Sequence, residues 1–515
     1  MKRRFMLLVC AFLMLTLLVP IQTTAADSSS AVAAASPTSG VTMVAGGILH
    51  TLALQNDGTV WAWGSNNQGQ LGDGTRNKQL TPVQVQGLSP VVAIDAGSYH
   101  SLVVKNDGTV WTWGANSNGQ LGDGTKNDRL TPIQVQGLSS VVAVDAGLHH
   151  NLALKSDGTV WAWGPNNLGQ LGDGTNDERL TPVQVQGLSS VVSISANRER
   201  SLAIKNDGTV WAWGWDDYGT LGDGYPEINR STPVQVQNLS SVVAIDTGFY
   251  HNLALKSDGT VWAWGNNHYG QLGDETVKIR YTPVQVQGLG SVVDIAAGLS
   301  HSLAVKSDGT VWAWGSNDYG QLGDGTLGHS TPAQVQGLSS VAAVSSGHWH
   351  SLAVENDGTV WAWGSNWTGQ LGDGTTKDRL TPIQIQMNQA EFQLSDSKTY
   401  QAGGTNYEFS LYYGYISSSG QWLSGSWSPP EGFHGVVKVS MISPEGEDYD
   451  LSLETVGEVN RLPEDTTELP DGTEYSATEV PGGYRAEWRV KGHTDKDYSH
   501  NKKVFVYVSI KYDNH

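Results

Sequence analysis

Eight residues, Asp57-Gly58-Thr59-Val60-Trp61-Ala62-Trp63-Gly64, return almost unchanged six more times, with their first Asp at Asp107, Asp157, Asp207, Asp258, Asp308 and Asp357. Steps of 50, 50, 50, 51, 50 and 49 residues are a fixed internal period, so one supersecondary unit is repeated seven times. A single unit of this size cannot bury its own apolar face. The copies must pack on one another, and the fold is decided by how they do so.

Each unit reads as four short apolar runs, as in Val91–Gly97, Ser101–Lys105, Thr109–Trp113 and Pro132–Gln136. The runs are rich in β-branched and aromatic residues and bounded by Gly, Asn, Asp or Pro, which is the pattern of strands. Asn-Asp-Gly or Ser-Asp-Gly separates the second run from the third, and is expected to close a two-residue type I′ hairpin. Four antiparallel strands repeated seven times leave exposed edges unless the array closes. The expected fold is all-β, a seven-bladed β-propeller. A stacked solenoid is the alternative; it would need polar capping repeats, and neither end of the array shows one. The sequence leaves open whether strands from the two ends share a blade.

Of the 20 tryptophans, 14 occupy the paired WxW positions. Residues two apart on a strand share a face, so each pair is expected to fill the wedge between neighbouring sheets. His50, His100, His150, His251, His301 and His350 also recur once per unit. Seven-fold spacing separates them too widely for one tetrahedral metal site. Each is expected to tie the turn of its own blade by hydrogen bonds.

The unit GxxHS-L-A-[VIL]-K-x-D-G-T-V-W-A-W-G-x-N-x-x-G-Q-L-G-D-G-T…TP-x-Q-V resembles the RCC1 repeat across residues 41–386. The resemblance implies a seven-bladed propeller. Its known members include a nuclear exchange factor, a plant ultraviolet sensor and a secreted bacterial inhibitor of β-lactamases. The last is similar in kind to what this chain's features imply, although the fold alone does not specify a target.

Lys2, Arg3 and Arg4 precede an apolar run from Phe5 to Val19 and small residues near Ala26. That order reads as a secretory signal peptide over residues 1–26, since the run is too short to span a membrane. Residues 27–40, small and polar, read as a flexible linker. The lone Cys10 lies in the leader, so the exported chain is expected to have no disulfide. Loss of the three basic residues takes the formal charge from −20 to −23. Such a surface repels phosphate backbones and anionic headgroups, so neither nucleic acid nor membrane is an expected partner after cleavage. Residues 390–515 lose the period. Runs such as Tyr407–Tyr413, Val436–Ile442, Arg485–Val490 and Val504–Ile510 read as a C-terminal β-sandwich domain.

No catalytic, cofactor or metal residues are assigned. The acidic turns at Asp57 and Asp73 recur in every unit, which marks turn chemistry rather than a catalytic pair. Two windows vary while the framework stays constant: the two residues before the ring histidine and the four after WxWG. Such positions belong to strand-connecting loops, where binding residues are carried. Unit four departs furthest, with Asn197-Arg-Glu-Arg200 for Gly-x-x-His, Thr220 for Gln, and the loop Tyr225–Arg230. The expected partner-binding residues are Arg198, Glu199, Arg200, Trp215, Asp216, Asp217, Tyr218 and Tyr225, extended by Tyr250, His268, Tyr269, Tyr319, Trp349 and Trp367. These are aromatic and charged residues of the types that anchor interfaces. The expectation is a secreted, monomeric, noncatalytic protein-binding scaffold, an inhibitor or adaptor of an extracellular protein. Glycan or cell-wall binding is the alternative, and hydrolysis by the C-terminal part a third reading.

Overall fold

The computed structural model describes residues 40–387, apart from 86, 89, 226 and 327, together with strands between residues 393 and 511. The expected signal peptide and most of the linker lie outside the described residues. The chain divides into two compact units, Met1–Met387 and Asn388–His515.

The first unit is a seven-bladed β-propeller. In blade one, β1 (Val41–Gly46), β2 (His50–Gln55), β3 (Val60–Gly64) and β4 (Gln79–Gln84) pair antiparallel in chain order. The other six blades repeat this order, ending at Arg379–Ile385. Every blade is contiguous in sequence, so no strand is exchanged to close the ring. Closure uses side chains: Val41, Ala53 and Trp63 of blade one join Leu352, Val354 and Leu371 of blade seven in one apolar cluster.

Strand character follows from position. The second strand is buried along nearly its whole length because it is covered on both faces by neighbouring blades. The fourth strand is half-exposed and carries Thr-Pro, as at Pro82 and Pro132. Proline cannot donate to a further strand, which suits an outer edge and guards it against pairing with another chain.

The hairpin between β2 and β3 differs from the expected type I′ turn. Asp57 keeps negative φ while Gly58 sits at φ 82. The Gly58 N–H bonds to Gln55 O, and Gln55 N–H to Thr59 O, both at 3.0 Å. This is a three-residue loop with a glycine bulge. The Asp is selected for its side chain: Asp57 Oδ1 accepts from the Thr59 N–H at 2.9 Å and from its hydroxyl at 2.7 Å.

Blades meet through a repeated joint. Trp113 of blade two is fully buried and donates its indole N–H to Gln70 O of blade one at 2.8 Å. Ser101 Oγ gives its one hydrogen to the same carbonyl at 2.8 Å. His50 Nε2 lies 3.0 Å from Ser101 Oγ, and must therefore be the donor. His100 faces Asn151 Oδ1 at 2.7 Å, an acceptor only, so the same tautomer recurs. The ring histidines thus tie each blade to the next, correcting the expectation that each secures its own turn. Burial, helped by neighbouring ring histidines, lowers His50, His150 and His301 from 6.5 to about 3, and they stay neutral.

In the second unit, Gln393–Ala402, Thr405–Ile416, Lys502–Lys511, Val436–Ile442 and Asp448–Leu453 form one antiparallel sheet, in that spatial order. Leu423–Trp427, Gly483–Val490, Glu474–Val480 and Thr467–Glu468 form another. The side chains on which a sandwich would rest lie outside the described residues.

Candidate functional site

Both variable windows lie on one face of the propeller. They are joined by a backbone bond in six blades, as in Ser65 N–H to Leu49 O at 2.8 Å and Trp215 N–H to Glu199 O at 2.8 Å; in blade three the donor position is Pro165, which has no N–H. The constant strands therefore hold the two loops side by side, and their side chains are free to differ.

Glycines Gly47, Gly97, Gly147, Gly298 and Gly347 converge on the axis at this end, around a cavity of about 30 Å³. That volume suits a water or two and no larger ligand. A Cβ at Gly97 would lie 2.2 Å from His100 Cε1, and one at Gly298 2.0 Å from His301 Cε1. Glycine and histidine are thus one packing decision. Blade four alters both together, to Asn197 and Arg200. Without an imidazole stacked beneath it, position 197 can carry a side chain.

Arg200 is 1% exposed. It donates to Asn252 Oδ1 and Phe249 O at 3.0 Å, to His251 O at 2.8 Å and to Gly248 O. It does the work of the missing histidine, reaching blade five with a longer fork. Burial lowers its pKa from 12.5 to about 10, and nearby Asp217 opposes the fall. It remains charged at neutral pH. Asp216, also 1% exposed, accepts from Leu221 N–H at 2.9 Å. Neither Arg200 nor Asp216 can touch a partner in this structure, which corrects their place in the expected set. Position in the hairpin explains it: Arg200 begins a strand buried along nearly its whole length, while Arg198 stays in the loop after Asn197.

A second exchange redirects Tyr218. In six blades a glutamine side chain caps the turn that leads into it, as Gln70 Oε1 does for Gln68 N–H at 3.0 Å and Gln271 Oε1 for Tyr269 N–H at 3.0 Å. Thr220 replaces it in blade four; its hydroxyl instead donates to Asp217 O at 3.0 Å. Tyr218 turns to φ 56. Its ring then meets Tyr250 and His268 of blade five, each at 6.0 Å edge to face.

Arg198, at φ 50, lies over Trp215 at 3.7 Å, Phe249 at 4.6 Å and Tyr250 at 4.8 Å, and pairs with Asp217. Phe249 packs on Tyr250 at 4.7 Å and on His348 of blade seven at 4.8 Å. His348 leads to Trp349 at 5.5 Å, Trp349 to Trp367 at 5.8 Å, and Trp367 to Tyr319 of blade six at 4.8 Å. One chain of touching rings therefore crosses the face from blade four to blades six and seven. Burial raises the Glu199 carboxyl, with Arg198 opposing and Asp217 adding to the rise.

The structure joins Arg198, Glu199, Trp215, Asp217, Tyr218, Tyr250, His268, Tyr319, Trp349 and Trp367 in this network. Tyr225 and Tyr269 are 60% and 54% exposed, and no ring pair links either to it among the described residues. The expected set lacked Phe249 and His348, the two rings that connect its halves. Both sit in the variable window, so their position was visible; that blades five and seven meet across the axis was not. Among the described residues no group of three or more His, Cys, Asp or Glu could hold a metal ion. The repeated turn carboxylates are engaged locally, as Asp123 is by Arg129 Nη2 at 2.7 Å and Thr125 N–H at 2.9 Å.

Seven like blades around an axis, with recurring joints and variable loops on one face, define a repeat β-propeller. The chain belongs to the RCC1-like domain family, whose model matches residues 20–246 and 227–407. It is similar to Prp20p of Saccharomyces cerevisiae, at 25% identity over 68% of this chain and 90% of that one, with a TM-score of 0.60. That protein is described with its binding to Gsp1p and histones. Human WBSCR16 is similar at 25% identity over 66% of this chain and 96% of its own, with a TM-score of 0.59. A stretch of 46 residues is 44% identical to the ultraviolet-B receptor UVR8 of Arabidopsis thaliana, spanning 10% of that receptor.

Proposed function

We propose that this chain is exported and acts as a monomeric, noncatalytic scaffold that binds an extracellular protein, as an inhibitor or adaptor, through the variable-loop face of its propeller. The observation that carries the reading is the unbroken network of rings from Tyr218 to Trp367, with Trp215 joined to it through Arg198, gathered from four blades onto one face. Aromatic and arginine anchors of this kind dominate the energetics of protein interfaces. Residues 1–26 support export, and the description of Prp20p as binding other proteins supports a protein partner.

The test is capture of extracellular proteins by residues 27–515, beside a variant with Tyr218→Ala, Tyr319→Ala, Trp349→Ala and Trp367→Ala. A soluble protein held by the first and released at least thirtyfold more readily by the second is expected, since one such anchor contributes about 2 kcal/mol. Equal capture by both, with folding intact, would remove the face from the reading. A second reading rests on Trp349 and Trp367, whose planes tilt by only 35° with Trp367 47% exposed. Such a pair can stack on sugar rings. Retention on insoluble cell wall with no captured protein would favour it.

A further inference from the structure

Arg198 is held as a bound cation would be. Three rings from two blades enclose its guanidinium at 3.7, 4.6 and 4.8 Å, and Asp217 pairs with Nη1. Aromatic faces with a carboxylate are the chemistry by which proteins take up ammonium and guanidinium groups.

The fit is imperfect in two ways. The backbone at Arg198 sits at φ 50, a left-handed conformation that strains any residue with a Cβ. The cage also presents two carboxylates to one cation. Glu199 Oε2 stays 3.7 Å from Nε, beyond hydrogen-bond reach. Glu199 Oε2 and Asp217 Oδ1 are both buried with no hydrogen-bond donor. The other nearby cation, Arg200, is committed to the carbonyls of Gly248, Phe249 and His251.

We propose that this cage is the receptor for a basic side chain, arginine or lysine, of the protein partner, and that Arg198 is a resident plug which that side chain displaces. This rests on the protein-binding reading above and names the partner's chemistry at the same face. The excess of carboxylate favours a cation over an anion or an apolar group, and the formal charge of −20 draws basic segments toward the protein.

The test titrates the full chain with N-acetylarginine amide, and with its neutral isostere N-acetylcitrulline amide, by calorimetry. Arg198→Gly opens the cage, and glycine accepts the backbone angle. Arg198→Gly is expected to bind the arginine probe at least tenfold more tightly than the wild type does, and at least tenfold more tightly than it binds the citrulline probe. Adding Asp217→Asn should abolish the gain. Equal binding by wild type and Arg198→Gly, or equal binding of the two probes, would overturn the proposal. Should Arg198→Gly lose the near-ultraviolet signal of the buried tryptophans, its restoration by excess arginine probe supports the cage, and failure to restore it overturns the cage. A failed titration counts against the cage alone, whereas partner capture unaffected by the four aromatic substitutions counts against the protein-binding reading.

Discussion

Blade four and the other six blades solve the same mechanical problem with different chemistry. Six joints use a neutral imidazole stacked on glycine, donating to the next blade, as His100 does to Asn151. The fourth uses Arg200, a buried charge that satisfies three carbonyls and Asn252 Oδ1 at once. The lesson is that the joint specifies a donor reaching the next blade rather than a histidine. A change of donor also releases the neighbouring position from being glycine, and in blade four that freedom, together with Thr220, is used to build the loop carrying Arg198 and Tyr218.

Acid should separate the two kinds of joint most strongly. The folded values of about 3 for His50, His150, His301 and His350 and about 4 for His100 lie below 6.5, with His251 also lowered, burial being the main cause. Above pH 6.5 both folded and unfolded rings are neutral and their stability is complete. Below it the unfolded chain takes up protons that the folded rings refuse, at up to about 1.4 kcal/mol per pH unit for each histidine. The melting temperature should therefore be level near pH 7 to 8 and fall steeply between about pH 6 and 4. The raised carboxyls of Glu199 and Asp216 oppose this weakly. A melting temperature unchanged across that window would refute the neutral-ring account. Converting the fourth joint to the common type, with Asn197→Gly and Arg200→His together, should make the acid loss steeper by one group.

Removing the odd donor comes next in size. Arg200→Ala leaves three carbonyls and Asn252 Oδ1 without their guanidinium, and should destabilise the propeller by about 3–5 kcal/mol in chemical unfolding, the range for breaking a buried charged network. Arg200→His alone should be nearly as damaging, because the ring would meet the Asn197 Cβ. Recovery on adding Asn197→Gly would establish the coupling, and additive losses would refute it. In a common joint, Gly97→Ala should cost about 1–3 kcal/mol, since its Cβ would overlap His100. The smallest effect is expected from Thr220→Gln. Restoring the cap used by six blades should stabilise by about 0.5–1 kcal/mol while drawing Tyr218 out of its left-handed conformation and weakening partner retention. A gain in stability with no change in retention would show that Tyr218's conformation is unimportant to the face.

Blade number, the four strands of each blade and the residues of the joint were legible from the amino acids because their causes are local and repeated. Alternation, β-branched runs, Asp-Gly turns and a constant period act over a few residues and are averaged over seven copies. The variable windows were legible for the same reason, as departures from a template printed six other times. Other features depended on which atoms meet across the ring. His50 ends on Ser101, some 50 residues away, and not on its own turn. Arg198 and Arg200, two apart and alike in chemistry, part company because one lies in a loop and the other at the start of a strand buried on both faces. Phe249 and His348 complete the network only because the closed ring brings blades five and seven together at the axis. Contact across a closed ring depends on the packing of every blade between, which no single stretch of sequence encodes.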